Sequence, residues 1–200
     1  MKVCVYIATS LDGFIARENG RLDWLPGAEG VEDTMDTKAA TDAVKPKEAV
    51  ASGEANLADG DLGFSTFFES IDVLVMGRNT YDFVRNAGPW PYKGKRVIVL
   101  SRTLDKNQPH NIEVQSGFVE DLFRDLQVSG ANRVYVDGGQ TIQGFLKQGL
   151  IHEITITTIP VLIGQGIPLF GPVLKDIHLN HVETISYSSG FVQSKYEVLP

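Results

Sequence analysis

Three short stretches of this chain place glycine, hydroxyl and guanidinium groups where the backbone leaves an apolar run. In Val134-Tyr135-Val136-Asp137-Gly138-Gly139-Gln140-Thr141 a β-branched run ends in two glycines, and a helical pattern follows. Glycine lets the backbone approach a ligand closely, and a helix start offers free N–H groups and the positive end of a dipole to a phosphate. Met76-Gly77-Arg78-Asn79-Thr80 repeats this logic. It adds a guanidinium that can fork onto a phosphate and a hydroxyl that can cap the helix or bond the same oxyanion. Leu100-Ser101-Arg102-Thr103 adds a second arginine and two hydroxyls after a third apolar run. Any one of these fits a solvated turn. Together, at carboxyl ends of parallel strands, they point to a phosphorylated cofactor, because open α/β sheets bind ligands at that edge.

Candidates for proton chemistry and substrate contact are fewer. Asp61 opens a helical pattern and is either a polar anchor for a substrate or a cap for that helix. Asp12, before Gly13, is a substrate-binding candidate or a turn-former, and Trp24 is expected to wall the site. The chain lacks a G-x-G-x-x-G with a downstream acid, a Walker A, a G-x-S-x-G elbow and cysteine–histidine zinc spacing. His178 and His181 fall on opposite faces of an expected strand, so no metal site is expected.

The elements that must position these residues follow from apolar runs. Val3–Ala8, Val73–Met76, Arg96–Leu100 and Arg133–Val136 are short, continuous and β-branched, as strands buried on both faces of a parallel sheet are. Helical patterns separate them over Leu62–Ser70, Thr80–Asn86, Val119–Val128 and Thr141–Leu150. Alternation of this kind predicts crossover units and a mostly parallel central sheet flanked by helices. Glu153–Ile159, His178–Tyr187 and Gly190–Val198 supply strands without intervening helices, so an antiparallel C-terminal finish is expected.

The chain's 200 residues suit a single α/β domain. Residues 26–60 break the rhythm: eight acidic residues against Lys38, Lys45 and Lys47 give a net −5 of the chain's −7, which reads as an inserted loop or flap. Asp36–Val44 could form a short helix there, limited by Pro46. No basic run exceeds Lys93, Lys95 and Arg96, so nucleic acid is not an expected partner. The single cysteine, Cys4, sits in an apolar run, where a small buried residue is expected. No stretch reaches the roughly 18 apolar residues of a membrane span. The N-terminus enters a strand pattern without a charged leader, and the expected location is the cytoplasm.

The chain resembles the dihydrofolate-reductase-like superfamily, and within it the riboflavin-biosynthesis reductase C-terminal domains and their stand-alone relatives. The landmarks are Ser10-Leu11-Asp12-Gly13-Phe14-Ile15-Ala16, Leu22-Asp23-Trp24, Met76 to Tyr81, Val99-Leu100-Ser101-Arg102, Asp137-Gly138-Gly139 and Pro160 to Gly164. The resemblance implies NADPH as cofactor. Gly77, Arg78, Asn79 and Thr80, with Gly138, Gly139, Gln140, Thr141 and Ile142, would surround its phosphates. Leu100, Ser101 and Arg102 would lie at its adenosine, the last two on the 2′-phosphate, and Ala8 and Ile15 near the nicotinamide. Asp61 stands at the spacing before Met76 of the carboxylate that holds the pteridine in folate reductases, and Thr157 aligns with its hydroxyl partner. The two are therefore expected to meet as the catalytic pair. Tyr6 stands where riboflavin-type reductases carry lysine, and Lys95 where folate reductases carry the arginine that grips the glutamate tail. The implied activity is NADPH-dependent reduction of a pterin- or aminopyrimidine-like small molecule; the alternative is a non-catalytic NADPH- or pterin-binding module. Resemblance to the riboflavin-type branch also implies a homodimer through the C-terminal strands, with Ile154, Ile156, Ile159 and Phe170 shared between contact and core.

Overall fold

The structure, a computed structural model, describes residues 1–26 and 60–200. Most of the acidic insertion, with the helix expected over Asp36–Val44, lies outside the described residues. One eight-stranded sheet organises the rest, in the order β5-β4-β3-β6-β1-β7-β10-β9. Strands β1 (Lys2–Ser10), β3 (Val73–Gly77), β4 (Arg96–Leu100), β5 (Glu113–Gln115), β6 (Arg133–Asp137) and β7 (Glu153–Ile159) are parallel. β10 (Val192–Val198) and β9 (Leu179–Ser186) add the antiparallel finish. β2 (Phe14–Ala16) and β8 (Ile167–Pro168) form a separate two-stranded ribbon.

The expected alternation of strand and helix is what forms. Helices α1 (Phe64–Ser70), α2 (Arg78–Asn86), α3 (Val119–Val128) and α4 (Gly139–Lys147) connect the parallel strands or precede them. In β3, Val73 and Val75 enter one core with Val3, Val5, Ile98, Val134 and Val136, under Leu122, Leu126, Ile142 and Phe145 of α3 and α4. The alternate residues Leu74 and Met76 enter the other, with Cys4, Tyr6, Val97, Val99 and Tyr135, against Phe67 of α1 and Tyr81 of α2. Side chains alternate across a strand, so two buried faces demand an unbroken apolar run. Truncating a residue such as Phe145, fully buried, is expected to cost about 3–5 kcal/mol.

Several boundaries differ from expectation. α2 starts at Arg78 rather than Thr80, and α4 spans Gly139–Lys147 rather than Thr141–Leu150, so both begin directly on their glycine turns. Strands β2, β5 and β8 have two or three residues each, too short to leave a periodic signal. Ile154 and Ile159 are buried within the chain's own core, which removes them from an expected subunit contact; Phe170 is 49% exposed. Among the described residues, no helix is long and apolar enough to cross a membrane.

Candidate functional site

A cavity of 760 Å³ opens at the carboxyl ends of the parallel strands, between the β2–β8 ribbon and the starts of α2 and α4. Of the residues singled out from sequence it is lined by Ala8, Ile15, Trp24, Asp61, Gly77, Arg78, Asn79, Thr80, Leu100, Gly138, Gly139, Gln140, Thr141 and Thr157. Ser101 and Arg102 lie outside this lining, in an adjoining depression of 280 Å³ that they share with Lys106 and Gln115. Two placements correct the sequence reading. Ile142 is fully buried in the core beneath α4. Asp12 holds the following loops together, accepting from Ser10 Oγ at 2.5 Å and from the Gly164 N–H at 2.8 Å, and it does not reach the cavity.

Glycine is required where the two helix starts meet. A Cβ on Gly77 would stand 2.9 Å from Thr141 Oγ1, and one on Gly138, whose φ is +87°, would collide with Thr80 Oγ1. A Cβ on Gly139 would press Ile15 Cδ1 at 2.8 Å. The chain therefore has backbone facing the cavity on two sides, with Thr80 and Thr141 crossing between them. No side chain among the described residues caps either helix, so Thr80 does not take the capping role open to it in the sequence, and among those residues the first N–H groups of α2 and α4 stay available. This is the cradle a phosphate or pyrophosphate needs. Arg78 stands at its rim, half-exposed, donating to Asp82 at 3.2 Å and Thr103 at 2.7 Å.

Asp61 and Thr157 share the cavity, but the expected contact between them is not made. The carboxylate of Asp61 accepts from the Gly63 N–H at 3.0 Å and the Ser65 N–H at 2.7 Å. Ser65 and Gly63 together hold its carboxyl below the ordinary range. It thus secures the start of α1. Thr157 Oγ1 instead accepts from Gln193 Nε2 at 3.0 Å. The same amide donates to Tyr6 Oη and to the Leu62 carbonyl, which Tyr6 also bonds. Burial pushes the Tyr6 hydroxyl up to about 12, against the Gln193 hydrogen bond, so it remains a neutral donor.

Asp137, quoted in the sequence only as part of a turn, is the most perturbed carboxyl here. It ends β6 in the cavity wall. Burial raises its pKa from 3.8 to about 6, although the Gly138 N–H donates to it at 2.8 Å. A carboxyl poised between its two forms near neutral pH can hold and release a proton. The cavity wall also contains two donors that, among the described residues, are buried without a hydrogen-bond partner: Nε1 of Trp24, which the sequence placed in the wall, and Oη of Tyr92, which sequence reading missed. A carboxylate directly after a buried strand was visible as a signal for Asp137; Tyr92 and Gln193 carried none. Lys95 donates to the Glu69 and Ile71 carbonyls at 3.0 and 2.7 Å, and so closes the end of α1.

Comparison with known proteins agrees with this geometry. The model of the RibD C-terminal domain family matches residues 1–193. The uncharacterized protein YwjB of Bacillus subtilis (strain 168) is 32% identical over 180 residues, 89% of this chain and 87% of that protein. A Shewanella sp. PV-4 crystal structure, of a protein attributed to riboflavin biosynthesis, superposes with a TM-score of 0.77 at 35% identity over the whole of both chains. Dihydrofolate reductase from Enterococcus faecalis, complexed with NADP(H), shares the fold with a TM-score of 0.63 at 16% identity, over 100% of this chain and 97% of that one.

Proposed function

The chain belongs to the RibD C-terminal domain family, and from that premise we propose that it is a cytoplasmic, NADPH-dependent reductase of a compact pterin- or aminopyrimidine-like ring. The observation that carries this reading is the meeting of two uncapped, glycine-lined helix starts with a half-buried, protonatable carboxyl in one cavity. NADPH, when bound, supplies the hydride. The N–H groups of Arg78 to Thr80 and of Gly139 to Thr141, with the Thr80 and Thr141 hydroxyls, hold its phosphates where Gly77 and Gly138 let the backbone come close, and Ala8 and Ile15 flank its nicotinamide. Leu100 packs on its adenosine, and Ser101 and Arg102, with Lys106 in the same depression, hold the 2′-phosphate. Asp137 holds the proton that the reduced substrate must receive. Trp24 walls the ring, and Asp61 and Thr157 orient it. Compactness of the substrate is supported by Lys95, whose ammonium is committed to backbone carbonyls and is not offered to a carboxylate tail.

The test is cofactor binding, followed by consumption of NADPH with a panel of pterin, aminopyrimidine and quinonoid compounds. Arg102→Ala is expected to weaken NADPH by about 1.5–3 kcal/mol, roughly 10- to 150-fold, and to leave NADH nearly unchanged. Equal losses for both would remove the 2′-phosphate assignment, and failure of the protein to bind NADPH would remove the reading. The reading includes a homodimer that covers β9, where Leu179, Val182 and Ile185 stand 41–46% exposed on the last strand of the sheet. Light scattering that finds only single chains at micromolar concentration would count against it.

A further inference from the structure

We propose that Gln193 sets the hydrogen-bonding polarity of the substrate end of the cavity. By donating to Thr157 it leaves that hydroxyl's own hydrogen for the ligand, so the site selects a ring that presents an acceptor there. The inference rests on the reading of this cavity as the substrate site.

The register puts the participants on one face. Gln193 of β10 is paired with Thr157 of β7, and Thr157 with Ala8 of β1. Directly paired residues share a face of a sheet, as do residues two apart on a strand, which adds Tyr6. Gln193, Thr157 and Tyr6 are 8%, 3% and 9% exposed, so their polar atoms must find partners locally. Gln193 Nε2 lies 3.1 Å from the Leu62 carbonyl oxygen, 2.9 Å from Tyr6 Oη and 3.0 Å from Thr157 Oγ1.

A carbonyl can only accept, so Leu62 fixes which way the amide is turned: nitrogen towards Leu62, Tyr6 and Thr157, oxygen towards the Tyr187 hydroxyl at 3.4 Å. An amide nitrogen carries two hydrogens. The Tyr6 hydroxyl spends its hydrogen on the Leu62 carbonyl, and because those two oxygens are bonded to each other they share one amide hydrogen. The other goes to Thr157. Thr157 is therefore an acceptor on the Gln193 side and a donor on the other, and it lines the cavity. Two further buried donors of the same lining, Trp24 Nε1 and Tyr92 Oη, have no partner among the described residues. On the accepting side, the Asp61 carboxylate is already met by the Gly63 and Ser65 N–H groups.

Gln193→Glu inverts this arrangement with almost no change of shape. Ionised, at alkaline pH, the new carboxylate can only accept, so the Thr157 hydrogen points at residue 193 and its lone pairs face the cavity. The probes are lumazine and 2,4-diaminopteridine, which carry oxygen acceptors and amino donors on the same two ring atoms. Each is titrated against protein saturated with NADP⁺, so that no turnover intervenes. The wild type is expected to bind lumazine about three- to tenfold more tightly, the scale of one hydrogen bond. Gln193→Glu is expected to reverse the order, and Thr157→Val to abolish the preference. If Gln193→Glu fails to fold, the near-isosteric Thr157→Val carries the test alone. A wild-type preference for the diamino compound, an unchanged preference in the folded variants, or binding of neither ring to the NADP⁺-loaded protein overturns the inference. NADPH consumption on the same samples separates it from the reductase reading: a switch of preference without turnover sustains the inference and removes the reductase. Turnover without a switch does the reverse.

Discussion

Two carboxyls lie at opposite ends of the parallel strands, and the chain treats them in opposite ways. Glu153 opens β7 with its side chain 5% exposed, meeting Lys2 at 2.8 Å, Arg133 at 2.7 Å and Lys195 at 3.6 Å. Burial pushes its carboxyl up, but the three cations more than offset this and hold it below the ordinary range. Asp137 closes β6, on the other side of β1, with no ion pair among the described residues, and burial pushes it up to about 6. At the amino ends the acid is matched by cations, although Arg133 Nε is itself buried without a hydrogen-bond partner among the described residues. At the carboxyl ends the chain retains an uncompensated acid, uncapped helix starts and unpartnered donors, features that cost stability and are useful only to a ligand.

If the contrast is one of function against stability, the largest effect belongs to Asp137→Asn. Turnover in the proposed reductase reaction is expected to fall about 10²- to 10⁴-fold, the scale of general acid catalysis, with NADPH affinity kept. If Asp137 supplies the proton as proposed, its protonated form acts, so kcat/KM should decline as pH rises through about 6, and the variant should lose that limb. A variant with wild-type turnover would show that the proton comes from elsewhere.

Glu153→Gln should do the converse, lowering unfolding free energy by roughly 1.5–3 kcal/mol, the scale of hydrogen bonds to charged groups, without altering cofactor affinity. The two carboxyls also have opposite signs against pH. Glu153, held below 4.5, contributes stability above that value that is lost as pH falls through its lowered pKa. Asp137, raised from 3.8 to about 6, favours the folded state when protonated, and that contribution is lost as pH rises through 6. Thermal melting across pH should therefore show a gain from pH 7 to 5 that Asp137→Asn abolishes, and a loss below the ordinary carboxylate range that Glu153→Gln blunts. Identical profiles for the three proteins would erase the distinction between the two ends.

The smallest effect is at Asp61, which belongs to both categories. Asp61→Ala is expected to destabilise by about 0.5–2 kcal/mol, and Asp61→Asn by far less, because asparagine caps about as well as aspartate. Turnover separates the roles: if Asp61→Asn retains full activity, the carboxylate serves only the start of α1.

The core was the legible part of this sequence. Arg96–Leu100, Glu153–Ile159 and Val119–Val128 form over the residues expected, because burial on two faces or one leaves a continuous or a periodic apolar signal. The cavity was legible where backbone conformation dictates residue type, at Gly77 and Gly138. What could not be read depends on contacts between distant segments. Gln193 is 36 residues from Thr157, 131 from Leu62 and 187 from Tyr6. No local pattern distinguishes it from any other polar residue of a C-terminal strand. Asp61 was readable as a helix-start residue, and that is the bond the structure gives it; Asp12 was readable as a turn residue, but its bond to Gly164, 152 residues away, was not.

The last strand of the sheet has a consequence for handling the protein. All eight residues of β9 are exposed, and one of its edges pairs with β10 while the other ends the sheet. A bare edge is a row of free N–H and C=O groups, a template for any extended chain that meets it. If the proposed homodimer covers it, the strand is protected, and the folded state gains by mass action as protein concentration rises. Dilution then becomes a stress: the chain should melt earlier at nanomolar than at micromolar concentration, a dependence that a stable monomer would not show.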